Sequence, residues 1–277
     1  MALPTAPQIA PLLTRSFIYL KNKQIEVIHE NSKNLNQTKL IFRHALGNVR
    51  YRGEGKIHSP SPFAWKTEAM LRLSGLDFEK EYVADLSKMP KGKVPVLQDG
   101  EKLIPDSSLI QRYLTETYGI DLDKHLTPEQ KAIAEAFRRM TEEHLYWMVV
   151  YNRFVDPLSK PFMMKAMFDG MPTEQAEAIF AVLQENAKKE MYGHGIGRHT
   201  QSDIYAFGKG DLDAISNYLG TKSYFFGEEL TSVDVSIVPV VANLILTPID
   251  TEIALYARTK ANLVAYIERF DRAVFGE

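Results

Sequence analysis

The sequence predicts a small α/β domain over residues 38–120 followed by an all-helical domain over residues 127–277. Three observations predict it. Between residues 38 and 119, short strand-like runs alternate with two amphipathic stretches in the order strand, helix, strand, strand, strand, helix. Past residue 127 the strand signals nearly vanish and long apolar patterns of helical period replace them. Residues 121–126 form a short polar linker between the two regimes, and residues 1–37 precede both as an arm.

Within the arm, Pro4, Pro7 and Pro11 forbid regular structure at its start. Residues 16–20 and 24–29 flank Lys21-Asn22-Lys23 and are readable as a short hairpin. Residues 38–43 (TKLIFR) form a first buried strand, and residues 47–57 show no clear period. Ser61-Pro62 then opens a helix, with Ser as N-cap and Pro at the first helical position, where its missing N–H costs nothing. Phe63, Ala64, Met70, Leu71 and Leu73 give that helix an apolar face toward a sheet, and Gly75 ends it. Leu76, Phe78, Lys80 and Tyr82 alternate with acids, as in a half-covered strand.

Residues 94–98 and 102–104 surround Asp99-Gly100, a strong hairpin signal. Asp106-Ser107-Ser108 caps the next helix, which carries Leu109, Ile110, Tyr113 and Leu114 and stops at Gly119. A parallel strand pair joined by a helix, then a hairpin and a helix, makes a compact α/β layer. Beyond it, helices are expected over about 127–154, 160–168, 173–189, 202–219, 232–246 and 251–275.

Bulk composition narrows the function. The 277 residues are 45% hydrophobic and 25% charged, which is globular composition. There is no cysteine, which excludes disulfides, thiolate metal sites and a cysteine nucleophile together. The net charge of −2, with no dense basic run, argues against nucleic acid. No stretch approaches the ~20 apolar residues of a membrane span; the best run, residues 233–246, is interrupted by Asp234, Ser236 and Asn243 and reads as a buried core helix. The first 25 residues lack acids and carry Arg15, Lys21 and Lys23, but not the Arg/Ser richness of a presequence. A cytoplasmic protein is expected.

Two segments carry candidate chemistry. In Val94-Pro95-Val96 the proline cannot donate to a ladder, so it belongs on an edge, at a strand start or in a cis turn. Eleven residues on, Asp106-Ser107 sets a carboxylate and a hydroxyl at a helix N-terminus, where free N–H groups favour a carboxylate guest. The plainer alternative is that Ser107 merely caps its own helix. In residues 193–200 (GHGIGRHT), Gly193, Gly195 and Gly197 indicate a loop. His194 and His199 lack a third ligand at matching spacing, so no metal site is expected, and the phosphate-loop ending is missing.

These segments resemble the glutathione-transferase family: Ser61-Pro62-Phe63-Ala64-Trp65-Lys66, then Lys93-Val94-Pro95-Val96-Leu97, then Ile104-Pro105-Asp106-Ser107. Leu230-Thr231-Ser232-Val233-Asp234 with Pro239 is similar to that family's capping box and buried helix. The pair Thr231-x-x-Asp234 is a folding signal. Asn262-Leu263-Val264-Ala265-Tyr266 with Arg269-Phe270 is similar to its last helix. The likeness covers roughly residues 57–275, and residues 193–200 with Ile204-Tyr205 resemble the failed-axon-connections and metaxin-like branch.

The resemblance implies a thioredoxin-like first domain with cis-Pro95, glutathione as co-substrate, a small electrophile as second substrate and a homodimer. Lys93, Val94, Pro95, Asp106 and Ser107 would bind glutathione. Ser61 would donate to the thiolate, lowering the thiol pKa. Ser61 stands where a Cys-Pro-Phe-Ala pattern has cysteine, while Ala64 fills the alternative donor position and has nothing to donate. One hydroxyl can both accept from the backbone as a cap and donate to sulfur; Ser59 is the fallback. Trp65 is expected to pack or line the cleft, and Tyr146, Trp147, Tyr151 and His144 are candidates for an electrophile wall, or ordinary helix packing. Two functions stay open: a glutathione transferase, and a non-catalytic interaction or scaffold protein that keeps the fold.

Overall fold

The computed structural model describes residues 39–44, 57–83 and 85–276. The arm hairpin and residues 47–56 lie outside the described residues. A four-stranded sheet is built from β1 (Leu40–His44), β2 (Phe78–Tyr82), β3 (Val96–Asp99) and β4 (Lys102–Pro105), in spatial order β2-β1-β3-β4. β1 pairs parallel with β2 and antiparallel with β3, with Phe42 opposite Leu97, and β3 turns into β4 around Gly100 at φ 57°. This is the layer that the alternating pattern predicts.

Helix α1 (Pro62–Ser74) connects β1 to β2, and α2 (Ser107–Tyr118) follows β4. Ser61 caps α1 by accepting from the Ala64 N–H, and Gly75 closes it at φ 68°. The cap contributes about 1 kcal/mol. α1 is buried more completely than one apolar face implies, because it packs against α8 (Ser232–Ile245) and α10 (Ala261–Phe275) as well as α2. Lys66, Thr67 and Glu68 are buried with Trp65, Leu71 and Ala69. Glu68 is held by Arg72 and by Lys80 of β2, at 2.9 and 3.0 Å. β2 is the sheet edge and, apart from half-buried Phe78, is exposed rather than half-covered; Lys80 reaches back to Glu68, while the glutamates and Tyr82 are open.

The helical half holds α3 (Pro128–Arg139), α4 (Tyr146–Val150), α5 (Lys160–Phe168), α6 (Thr173–His194), α7 (Gln201–Leu219), α8, α9 (Glu252–Arg258) and α10. The expected single helix over 127–154 is interrupted by two π turns, Met140–Leu145 and Tyr151–Val155. Each wider turn rotates the side chains that follow it onto a new face. The expected helix over 251–275 is broken at Lys260, whose φ −85°, ψ 83° is non-helical. Arg258, at the end of α9, instead donates to the carbonyls of Ile245, Thr247 and Ile249. Every residue of α8 is buried, so residues 233–246 are core, and no helix among the described residues is long and apolar enough to cross a membrane.

Two acidic residues tie this core together. The Asp234 carboxylate accepts from the Thr231 and Phe225 backbone N–H groups, both at 2.8 Å, and from the Thr231 and Tyr266 hydroxyls. From the linker, Asp123 accepts from the Ser232 N–H at 2.8 Å and from its hydroxyl, capping α8 from outside the helix. An aspartate facing a helix N-terminus gains from both the free donors and the dipole.

Candidate active site

A cleft of about 540 Å³ opens where the sheet layer meets the helical half, and Ser61, Lys93, Val94, Pro95, Asp106 and Ser107 all line it. The Val94–Pro95 bond is cis. The Asp106 N–H donates to the Pro95 carbonyl at 3.1 Å, which fixes the β4 end against the segment entering β3. Residues from three separate stretches, 61, 93–95 and 106–107, thus meet on one side of one cavity.

Ser61 Oγ accepts from the Ala64 N–H at 3.3 Å. Among the described residues nothing accepts its proton, so the hydroxyl caps the helix and keeps a donor toward the cleft. Ser59 does not line the cleft; its buried hydroxyl accepts from the Ser61 N–H at 3.1 Å and shapes the turn. Ala64 and Trp65 are both 1% exposed, so Trp65 packs in the core.

At the other helix tip, Asp106 is the N-cap. It sits at φ 79°, ψ 129°, a positive-φ backbone outside the left-handed helical region and uncommon for any residue with a side chain. Its carboxylate accepts from Ser108 and Leu109 at 2.9 and 3.3 Å. This corrects two expectations. Ser107 does not cap its own helix, and the tip is less open to a guest carboxylate, since two of its N–H groups are already taken. The buried Ser107 hydroxyl lines the cleft and has no partner among the described residues. Asp106 also keeps acceptor capacity, as a carboxylate offers about four lone-pair sites.

The opposite wall is helical. Tyr146 and Trp147 line it, but His144 and Tyr151 do not. His144 is turned to Asp211 at 2.6 Å, and Tyr151 packs edge-on against Tyr205 with centroids 5.5 Å apart. His194 joins the wall with its ring tilted against Trp147, centroids 4.9 Å apart. α6 runs through Gly193 to His194, so the glycine loop begins at Gly195, φ 108°, rather than at Gly193. A Cβ on Gly197 would come within 2.7 Å of the backbone of Met191 and Tyr192, so only glycine lets the loop close against α6. His199 packs on Phe207 instead.

Sequence reasoning did not find the ionic group beneath the cleft. The Lys66 ammonium meets Glu142 at 2.6 Å, Glu142 meets Arg138 at 2.7 Å, and Arg138 meets Glu135 at 2.7 Å. Arg138 Nη1 also reaches Ser108 Oγ at 3.4 Å across the cleft floor. Burial pushes the Lys66 amine below its ordinary pKa, against the pull of Glu142. The available signal was a lysine within the apolar face of α1, one residue past Trp65. Its partner lies in a π turn, which no 3.6-residue period anticipates.

Family models agree with this geometry. The glutathione S-transferase N-terminal domain matches residues 62–159, and the glutathione S-transferase C-terminal domain matches residues 208–270. The chain is 30% identical over 217 residues to the isoprene-epoxide–glutathione S-transferase of Rhodococcus sp. strain AD45, covering 76% of this chain and 90% of that protein. It is 31% identical over 231 residues to Failed axon connections of Drosophila melanogaster, covering 79% of this chain and 55% of that longer protein. It is 22% identical to human Metaxin-2 over 81% of this chain and 86% of that one.

Among solved structures, a glutathione transferase from Phanerochaete chrysosporium superposes with a TM-score of 0.56 at 20% identity, covering 84% of this chain and 96% of that one. A Ceriporiopsis subvermispora glutathione S-transferase in complex with glutathione gives 0.51 at 19% identity, covering 85% and 97%. These two speak for the fold. With a thioredoxin-like sheet layer, an all-helical second half and a cleft between them, this chain belongs to the glutathione S-transferase family.

Proposed function

We propose that the protein binds glutathione in this cleft and conjugates its thiol to a small electrophile. The observation that carries the reading is the meeting of Ser61, Val94 and Ser107, from three separate stretches, on one wall of one cavity. The Ser61 hydroxyl proton points the thiolate into place, the Val94 backbone pairs with the peptide-like part of glutathione, and Lys93 meets a carboxylate at the rim. Ser107 donates to the γ-glutamyl carboxylate, and the free lone pairs of Asp106 take its ammonium. Tyr146 and Trp147 hold the electrophile. The thiol ionises, its proton passing to solvent, and the sulfur forms its bond to carbon as a leaving group departs with its electron pair, or as the broken ring bond of an epoxide leaves its pair on the oxygen, which takes a proton from water.

Similarity to a glutathione S-transferase named for an epoxide substrate supports the transferase reading. The working assembly is a cytoplasmic homodimer whose domains span residues 38–120 and 127–277. A second reading, a non-catalytic interaction or scaffold protein that keeps the fold, is favoured by one observation: Ser61 Oγ is engaged as a helix cap while Ala64 offers no alternative donor. Calorimetric titration with glutathione followed by a conjugation assay over a broad electrophile panel separates them. Binding with turnover is expected; binding without turnover on any electrophile, or no glutathione binding at all, contradicts the transferase reading and supports the second.

A further inference from the structure

We propose that the helical half of the cleft selects aromatic electrophiles carrying a positive charge and rejects anionic ones, with Glu190 as the specificity-determining residue. The inference rests on the conjugation reading of this cleft and adds the substrate class to it.

Charge is sorted across the cavity by the element that supplies it. Lys91 and Lys93, in the segment before β3, line one side, and neither has an ion-pair partner among the described residues. Arg138, the other cation of the lining, is neutralised by Glu135 and Glu142, and Glu142 is itself held by Lys66. The helical wall contributes Glu190 from α6 and Glu143 from the π turn. Glu190 has no ion-pair partner among the described residues, and Glu143 has only the exposed Arg139 at 3.5 Å. Lys188 and Lys189, on the same helix as Glu190, do not line the cleft. The lysines suit the carboxylates of glutathione. The acids then meet whatever is brought to its sulfur.

Between these poles runs a row of rings. Phe63, two residues from Ser61, contacts Tyr146 with centroids 4.9 Å apart; Tyr146 is 5.7 Å from Trp147, and Trp147 is 4.9 Å from His194. All four line the cleft. Glu190 and His194 are four residues apart on α6 and so share one helix face, which sets the Glu190 carboxylate beside the far end of the row. Burial chiefly raises the Tyr146 phenol pKa; Arg153 opposes that shift and Glu190 adds a smaller push upward. A planar ring stacked on this row would carry a cationic substituent toward Glu190 and over the face of Trp147, where cation–π attraction adds to the ion pair. A carboxylate in the same place would face like charge.

The test uses two isosteric, unreactive probes, 4-tolyltrimethylammonium and 4-toluate. Binding is followed by tryptophan fluorescence, with and without saturating glutathione, at low ionic strength. The chain has two tryptophans, and since Trp65 is buried, Trp147 reports on the cleft. The parent protein should bind the cation about tenfold more tightly than the anion, the ratio expected of one carboxylate near a partly exposed site. Glu190→Gln should shrink that ratio at least threefold, and so should added salt. A second arm measures conjugation of benzyl halides bearing the same two substituents, each kcat/KM divided by its uncatalysed rate with glutathione. Equal or tighter toluate binding, binding of neither probe, or a preference that Glu190→Gln leaves intact would overturn the proposal. A cation preference without any conjugation would uphold the selectivity and contradict the transferase reading.

Discussion

The Asn243 side-chain amide, in the last turn of α8, donates to the Ser59 carbonyl at 3.3 Å, joining positions 184 residues apart. Arg153 donates to the neighbouring Pro60 carbonyl and to the Asn243 side-chain oxygen. The two carbonyls that precede Ser61 are thus held from the helical half. That half sets where the first turn of α1 begins, and with it the Ser61 hydroxyl.

Asn243→Leu removes that hold and leaves buried polar groups unpaired on both sides. It should destabilise the protein by about 1–3 kcal/mol, seen as a lower urea midpoint at unchanged m-value. Stability equal to the parent's would show that Asn243 carries no such connection.

The ionic group under the cleft has a signature of its own. Lys66→Met takes one of two cations from the buried Glu142 carboxylate, which keeps Arg138, so the loss should stay below the about 3–5 kcal/mol of leaving a buried charge wholly unpaired. Lys66→Met with Glu142→Leu removes both charges, and Arg138 keeps Glu135 as partner. The double variant should recover most of the loss. Denaturant unfolding of parent, single and double variants checks this; a double variant less stable than the single would show that Glu142 matters chiefly through Arg138.

Most of the sheet layer was legible because its signals are local. Ser61-Pro62, Gly75, Asp99-Gly100 and Gly119 act within a turn of themselves, and the structure places a cap, a hairpin or a left-handed residue at each. The wall of the cleft was half legible. Tyr146 and Trp147 face inward, but His144 turns to Asp211, 67 residues away, because the π turn between Met140 and Leu145 resets the face. The break at Lys260 was hidden too, since it depends on Arg258 capturing carbonyls past the end of α8. Such distant partners leave no period in the sequence.

Acid should loosen the Arg138 cluster. Hydrogen bonds from Arg138, against opposing burial and with help from Arg139, hold the Glu135 carboxyl at about 2, below its ordinary 4.5. A depressed acid contributes stability that is fully present above its unfolded pKa and is lost as pH falls through its folded pKa. Melting temperature should therefore fall between pH about 4.5 and 2, and Glu135→Gln should flatten part of that slope. Parallel profiles for the two proteins would contradict the assignment.

Ser107 offers a test of glutathione binding apart from chemistry. A ligand that binds only the native state stabilises it by about 2.7 kcal/mol at a hundredfold excess over Kd. Ser107→Ala removes a hydrogen bond to a charged group, worth about 1.5–3 kcal/mol, so most of that gain should vanish. Asp106, not Ser107, caps α2, and the ligand-free melting point should therefore move little. A glutathione-induced shift as large in the variant as in the parent would place the γ-glutamyl end elsewhere.

The pKa of the bound thiol tests the central claim most directly. It is read by ultraviolet difference titration of the glutathione complex in the parent, Ser61→Ala and Ser61→Asp proteins. A donated hydrogen bond favours the thiolate, and each pKa unit is worth ~1.4 kcal/mol. Ser61→Ala should raise the thiol pKa by about one to two units. Ser61→Asp, which still caps α1 but sets a negative charge against the sulfur, should raise it at least as far. A thiol that titrates alike in the parent and in Ser61→Ala would contradict a donor role for Ser61 and leave it as a helix cap.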